Sequence, residues 1–253
     1  MEHHHLNINM KHIKLFEQFI SEGVHDPGIL KAYFMAGGPG SGKSYVVNQI
    51  FGFREDSTST LSMSTGLKLI NSDLAFQYEL ERMGYEASKL GDYKNDATTW
   101  DEVMKLRDKA KNVTKHRMDA YINGRLGMII DGTGKDYDKI TGWATMLKDF
   151  GYDVHMIFVN TSLEVAQERN MMRQRTLAPE MVESMWKEVQ QNLGRFQNFF
   201  KNKMFIVDNS GSDNSTVSEM ERIIGKSAHK PVENPIGKKW IKEMSVPDKN
   251  KIS

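Results

Sequence analysis

The sequence has no cysteine, which excludes disulfides and thiolate metal sites and suits a reducing compartment. Long apolar runs are missing as well. None approaches the ~18 residues of a spanning helix, and the first residues lack the apolar core of a signal peptide. A soluble cytoplasmic protein with no membrane partner is expected. Nor is there an excess of charge of one sign: charged residues make up 26% of the chain and the net charge is +1. No global basic field draws the protein toward nucleic acid, so a polymer substrate would need a local basic groove. What is present is a chain of 253 residues, long enough for one large α/β domain or two small ones.

The opening MEHHHLNINM carries His3, His4 and His5, which read as a tag remnant or a disordered tip ahead of a metal site. Residues 1–10 are set apart on that reading, with Met10 as the natural start. Ile13, Phe16, Phe19 and Ile20 then recur at helical spacing and predict a short docking helix over Lys11–Ser21. Next come a buried strand at Ala32–Ala36, a helix from Lys43 to about Phe51, and the polar, non-periodic loop REDSTSTLSMSTG. LKLINSD reads as a second strand ending at Asp73, followed by a helix to about Arg82, while Tyr85–Asn95 look irregular. A long helix is predicted over about Thr98–Asn123, with Val103, Leu106, Ala110, Val113, Ala120 and Tyr121 on one face and Gly124 as its stop.

The strand LGMIID, a helix over Tyr137–Phe150, the strand VHMIFV and helices over Leu163–Gln174 and Pro179–Phe200 follow. The strand KMFIVDN and a helix near Val217–Ile224 complete the series. This alternation predicts a three-layer α/β/α domain over residues 11–226, with a central, mainly parallel sheet covered on both faces. Residues 227–253 hold three of the six prolines and six lysines against three acids. They read as an extended tail, with Trp240 and Ile241 as its apolar anchors.

GGPGSGKS, Gly37 to Ser44, fills the pattern G-x-x-x-x-G-K-[ST] between an apolar strand and a helix start. Glycines let the backbone turn tightly, so that successive N–H groups aim at phosphate oxygens, and the helix beginning at Lys43 adds its positive dipole end. Lys43 is placed to reach the β- and γ-phosphates and the Ser44 hydroxyl to ligate Mg²⁺. The nucleotide, ATP or GTP, is expected along Gly38, Pro39, Gly40, Ser41, Gly42, Lys43, Ser44 and Tyr45. The motif says that a triphosphate is held and is silent on where its γ-phosphate goes.

Two acids stand at strand ends, where open parallel sheets bind ligands. Asp131 closes an apolar run and suits the Mg²⁺ shell, with the Thr133 hydroxyl nearby. Asp73 is suited to accept a proton from an acceptor hydroxyl in line with the γ-phosphate. The plainer alternative for both is an Asp capping the next helix. QERNMMRQRTLAPE brings Arg169, Arg173 and Arg175 together just before a helix whose first turn contains Pro179. Guanidinium forks suit the charge spread over a phosphoryl group in transfer, so residues 169–180 read as a lid, with Arg173 and Arg175 catalytic and Arg169 bracing the helix and binding the nucleotide. The alternative is a solvated helix end. Asp208, Asn209 and Ser210, after the last strand, form a loop that is a candidate rest for the purine.

Taken in order, GGPGSGKS, INSD, MIIDGTGKDYDKI, GYDVHMIFVNTSLEVAQERNMMRQR and RTLAPEMVESMW resemble the zeta-toxin and polynucleotide-kinase-like group of P-loop kinases over roughly residues 32–210. The resemblance implies a P-loop NTPase fold with an arginine lid. It also implies transfer of the γ-phosphate of ATP or GTP to a hydroxyl on a nucleotide sugar, a small molecule or a polynucleotide 5′ end. Under it Lys43 and Ser44 bind phosphate and Mg²⁺, Asp73 is the base, and Asp131 and Thr133 belong to the metal and acceptor cluster. Many relatives carry Arg or Lys three residues after the base, gripping the acceptor's phosphate; here that residue is Phe76, and the His-Pro element of the toxins is missing. The acceptor is therefore open. MKHIKLFEQFI also resembles the openings of phage-encoded proteins.

The leading expectation is a kinase acting on a hydroxyl of a small molecule or nucleotide sugar. A polynucleotide 5′-kinase would need a basic groove, with Lys109, Lys111, Lys115 and Arg117 as candidates. An ATP-binding assembly module without an acceptor is the third reading.

Overall fold

The computed structural model describes residues 23–53, 60–62, 64–173, 176–211 and 215–245. The helix expected over Lys11–Ser21, the histidine run and Arg175 lie outside them. Among the described residues five parallel strands form one sheet: β1 (Lys31–Ala36), β2 (Lys68–Ile70), β3 (Met128–Ile130), β4 (Asp153–Asn160) and β5 (Met204–Asp208). Their order is β2-β3-β1-β4-β5. The first strand in the chain is therefore central, and the chain winds away from it in both directions. A ligand crevice at the carboxyl ends is expected at such a switch point.

The helices are α1 (Lys43–Phe51), α2 (Ser72–Arg82), α3 (Leu90–Tyr93), α4 (Ala97–Asn123), α5 (Tyr137–Asp149), α6 (Leu163–Met171), α7 (Pro179–Phe200), α8 (Ser215–Ala228) and α9 (Pro235–Met244). Successive strand residues point to opposite faces. Phe34, Met128, Ile130, Met156 and Phe158 accordingly meet Leu147, Val189, Phe196 and Phe200 on one side. Tyr33, Met35, Ile129, Ile157 and Val207 meet Val46, Ile50, Phe51, Val217 and Ile224 on the other. A separate cluster of Phe76, Leu80, Leu90, Val103 and Ala110 holds α2 and α3 to α4.

Four local expectations change. The second strand stops at Ile70, and Asn71 caps α2 by accepting hydrogen bonds from the Asp73 and Leu74 amides, so Asp73 lies in a helix's first turn rather than on a strand. On α4 the buried face runs through Val103, Ala110, Thr114, Met118 and Ile122, while Val113 and Ala120 are exposed. Thr114 can be buried because its hydroxyl donates to the Ala110 carbonyl at 2.8 Å. The irregular stretch after α2 contains a 3₁₀ turn, Ala87–Lys89, and the short α3.

The tail is the fourth: α8 runs on to Ala228 and α9 follows, in place of an extended segment. Asn234 caps α9 and Pro235 opens it. Trp240 and Ile241 do anchor it to the core. A methyl group on Gly151 would lie 2.8 Å from the Gly237 amide nitrogen, which shows how closely α9 approaches the α5–β4 turn.

Candidate active site

The phosphate loop is built from backbone conformations and close packing that exclude side chains. Gly40 and Gly42 adopt φ values of 75° and 82°, the left-handed region that glycine enters without strain. A methyl group at Gly40 would collide with the Ala166 carbonyl of α6, and one at Gly42 with the Asn209 amide. Three neighbours fix the loop. The Gly37 amide donates to the Thr133 carbonyl at 2.9 Å, and the Asn209 amide donates to the Ser41 carbonyl at 2.8 Å. Trp186 of α7, whose Nε1 donates to the Thr161 carbonyl at 2.8 Å, lies alongside Gly38.

Residues Gly38–Gly40 and Gly42–Ser44 line a cavity of about 220 Å³ together with Arg169 and Arg173. Tyr45 instead packs against the core beneath α1, and Ser41 is fully buried. Lys43 donates to the Gly37 carbonyl at 2.7 Å. Burial pulls its pKa down, as does the charge of Arg173, while Asp131 and Asp73 oppose that shift. For Asp131 burial raises the pKa, Lys43 lowers it, and the carboxylate of Asp73 raises it further. Lys43, Asp131, Asp73 and Arg173 thus form one electrostatic neighbourhood, although they come from the starts of α1 and α2, the end of β3 and the segment after α6.

The two carboxylates are organised by a residue that the sequence reading passes over. Asn71 donates its Nδ2 to Asp131 Oδ2 at 2.7 Å while its Oδ1 caps the helix carrying Asp73. Asp131 Oδ1 and Arg169 Nη1 are buried and have no partner among the described residues. An orphaned carboxylate oxygen and an orphaned guanidinium nitrogen beside a cradle of glycines fit a metal ion and a phosphate group. Among the described residues no set of three or more His, Asp or Glu could hold a metal. A single carboxylate with a hydroxyl is nevertheless the protein share that Mg²⁺ takes when phosphates and water complete its shell.

The arginine segment is braced by Asn170, which lies between the two described arginines and is 2% exposed. Its amide donates to the Leu177 carbonyl at 2.8 Å and accepts from the Leu177 amide at 3.0 Å, closing the base of the segment. The helix before it ends at Met171, three residues earlier than expected. Asn192 of α7 donates to the carbonyls of Gly134 and Lys135, so α7 also holds the loop after Asp131. An Asn in a polar stretch carries no periodic signal, and only Asn71, two residues before an acidic first turn, could have been found as a helix cap.

Phe76 is 8% exposed and belongs to the α2–α4 core, with the Arg107 guanidinium 5.9 Å from its ring centre. Of the lysines considered for a polymer groove, Lys109 pairs with Glu79 at 2.9 Å and Lys111 with Asp108 at 3.1 Å.

Residues 33–196 match AAA_33, a family of AAA domains. The chain belongs to the AAA_33 family. The matched span runs from β1 into α7 and takes in the phosphate loop, Asp73, Asp131, Arg169 and Arg173. Among curated proteins none matches the sequence. Among solved structures, the AvrRxo1-ORF1:-ORF2 complex with ATP aligns at a TM-score of 0.53 and 12% identity. That alignment covers 79% of this chain and 62% of the other. A structure of the PezAT chromosomal toxin–antitoxin system of Streptococcus pneumoniae aligns at a TM-score of 0.50 and 14% identity, covering 90% of this chain and 98% of that one. These likenesses show the fold: this AAA_33 domain is a three-layer α/β/α with a P-loop. Among the described residues no helix is long and apolar enough to cross a membrane.

Proposed function

We propose that this AAA_33 domain is a Mg²⁺-dependent kinase that transfers the γ-phosphate of ATP or GTP to an acceptor hydroxyl. The observation that carries the reading is that Arg173 lines the Lys43 cavity while Asn71 ties Asp131 to the helix start that carries Asp73. A site that only held nucleotide would need the loop and a metal carboxylate, but not a second, exposed carboxylate beside them. Asp73 is solvent-exposed in the first turn of α2, open to an incoming acceptor, and takes the role of proton acceptor. Lys43 and the loop amides orient the β- and γ-phosphates. Arg169 and Arg173 contribute guanidinium groups to charge developing on the transferred group, and Arg175 joins them in this proposal. Ser44 and Asp131 would hold Mg²⁺, which supplies neutralisation of phosphate charge when bound.

We assign the acceptor to a small molecule or nucleotide sugar, in a zeta-toxin-like manner, and the protein to the cytoplasm. Two of the four candidate groove cations are already in ion pairs, which argues against a polynucleotide end. The order of the motifs and the fold shared with a protein of a toxin–antitoxin system support the zeta-toxin-like assignment. The test is γ-labelled ATP with Mg²⁺ and a pooled panel of nucleosides, nucleotide sugars, hydroxylated metabolites and 5′-OH oligonucleotides. Label is expected on one small acceptor, and Asp73→Asn should reduce transfer ~10²-fold or more, the size of a general-base contribution. Label recovered only as inorganic phosphate would sink the kinase reading.

A further inference from the structure

At the other end of the sheet, where the strands begin, a second cavity of about 220 Å³ opens between the starts of β1 and β5 and the end of α8. Its polar lining includes Lys31, Lys203, Lys230, His155, Ser227 and a single acid, Glu233. Lys31 is 3% exposed and donates to Asp153 at 3.0 Å. The Asp153 carboxylate also accepts the Glu233 and Asn234 amides, both at 2.8 Å. Lys203 pairs with Glu233, whereas Lys230 makes no ion pair among the described residues. Counting Asp153 behind Lys31, three lysines face two carboxylates.

His155 is the least expected part of this wall. It is 2% exposed and sandwiched between Tyr33, with ring centroids 4.7 Å apart, and Phe205, at 6.0 Å. Only its edges remain for polar contact. Tyr33 donates its hydroxyl to Ser227 Oγ at 3.3 Å, and Ser227 Oγ lies 3.4 Å from His155 Nε2. Burial, reinforced by Lys203 and Lys31, holds the imidazole pKa down to about 4, so the ring is neutral at neutral pH. With the tyrosine proton given to Ser227, the serine proton is free to go to Nε2. When it does, the ring's own proton sits on Nδ1, which is buried and has no partner among the described residues.

We propose that this cavity is an oxyanion site, separate from the nucleotide site, which takes a small phosphate group through the Lys230 and Lys31 ammonium groups and the His155 Nδ1–H. Its volume, against ~30 Å³ per water, admits a phosphate ion or a short phosphate monoester. β1 runs from Lys31 at this cavity to Ala36 before the phosphate loop, roughly 17 Å by the rise of a parallel strand.

The experiment is a titration of the full chain with inorganic phosphate, read at the ¹⁵N imidazole resonances of His155. Because the phosphate loop also binds phosphate, the same titration is run in Lys43→Ala. The His155 Nδ1 resonance should shift saturably in both proteins. Half-saturation should rise about tenfold in Lys230→Gln, an exposed change, the size of one lost charge-assisted hydrogen bond. Ser227→Ala, which frees the tautomer, should weaken binding as well. Glycerol 3-phosphate in a parallel arm assigns a monoester if it saturates the same shift, and the free ion if it does not. No shift, a shift abolished by Lys43→Ala, or one unchanged in both Lys230→Gln and Ser227→Ala would overturn the proposal.

Discussion

Asn71 and Asp131 are joined by a 2.7 Å hydrogen bond across 60 residues of sequence, and the same Asn71 side chain caps the helix that carries Asp73. One amide therefore sets the relative position of two carboxylates. Asn71→Ala removes both functions, and the lost cap alone should cost about 1 kcal/mol of stability. Asn71→Asp keeps the cap but sets a third carboxylate against Asp131. Chemical denaturation should find Asn71→Asp more stable than Asn71→Ala, while phosphate-transfer assays should find both impaired.

Gly42 is confined twice, by its left-handed backbone and by the Asn209 amide against its α-carbon. Gly42→Ala should abolish measurable nucleotide binding in a calorimetric titration. Adding Asn209→Ala removes the collision and leaves the backbone strain, about 1–2 kcal/mol. The double variant is expected to recover part of the stability, but not the wild-type affinity, since the Ser41 carbonyl has lost its donor.

Asn170→Ala should open the base of the arginine segment. Two hydrogen bonds to Leu177 disappear in a buried setting, at a cost of about 1–3 kcal/mol. Faster limited proteolysis between residues 171 and 178, with weaker nucleotide binding, is the expected result. Unchanged cleavage would mean that the clamp does not hold the segment.

His155 makes stability depend on pH. Its folded pKa of about 4 lies below the ordinary 6.5, because burial, Lys203 and Lys31 disfavour the imidazolium more than Asp153 and Glu233 favour it. Between those values the unfolded chain binds the proton and the folded one does not. This stabilising contribution is therefore complete above about 6.5 and is lost as pH falls toward about 4. Urea midpoints measured across that window should fall less steeply with acidification in His155→Phe than in the wild type.

The phosphate loop, the alternation of strands and helices, and the position of Asp131 at a strand exit were all legible in the chain. Asp73 was legible as a candidate but misplaced on a strand, because INSD reads equally as a strand's end or as a capped helix start. The buried face of α4 is hidden in the sequence because Thr114 looks polar until its hydroxyl is given to the Ala110 carbonyl. The prolines and lysines of residues 227–253 suggest an extended tail, yet Pro235 sits where a helix tolerates it, at the start.

By itself, the sequence determined what depends on neighbours a few residues away: strand and helix periods, the glycine turn, and the cation at a helix start. Only the tertiary structure decided which polar groups meet. Asn71 reaches Asp131, and Asn209 reaches Ser41 across 168 residues, because the sheet order places the ends of β1, β2, β3 and β5 along one edge. Hydrogen-bond partners at such separations follow from packing of the whole core, and no local pattern records them.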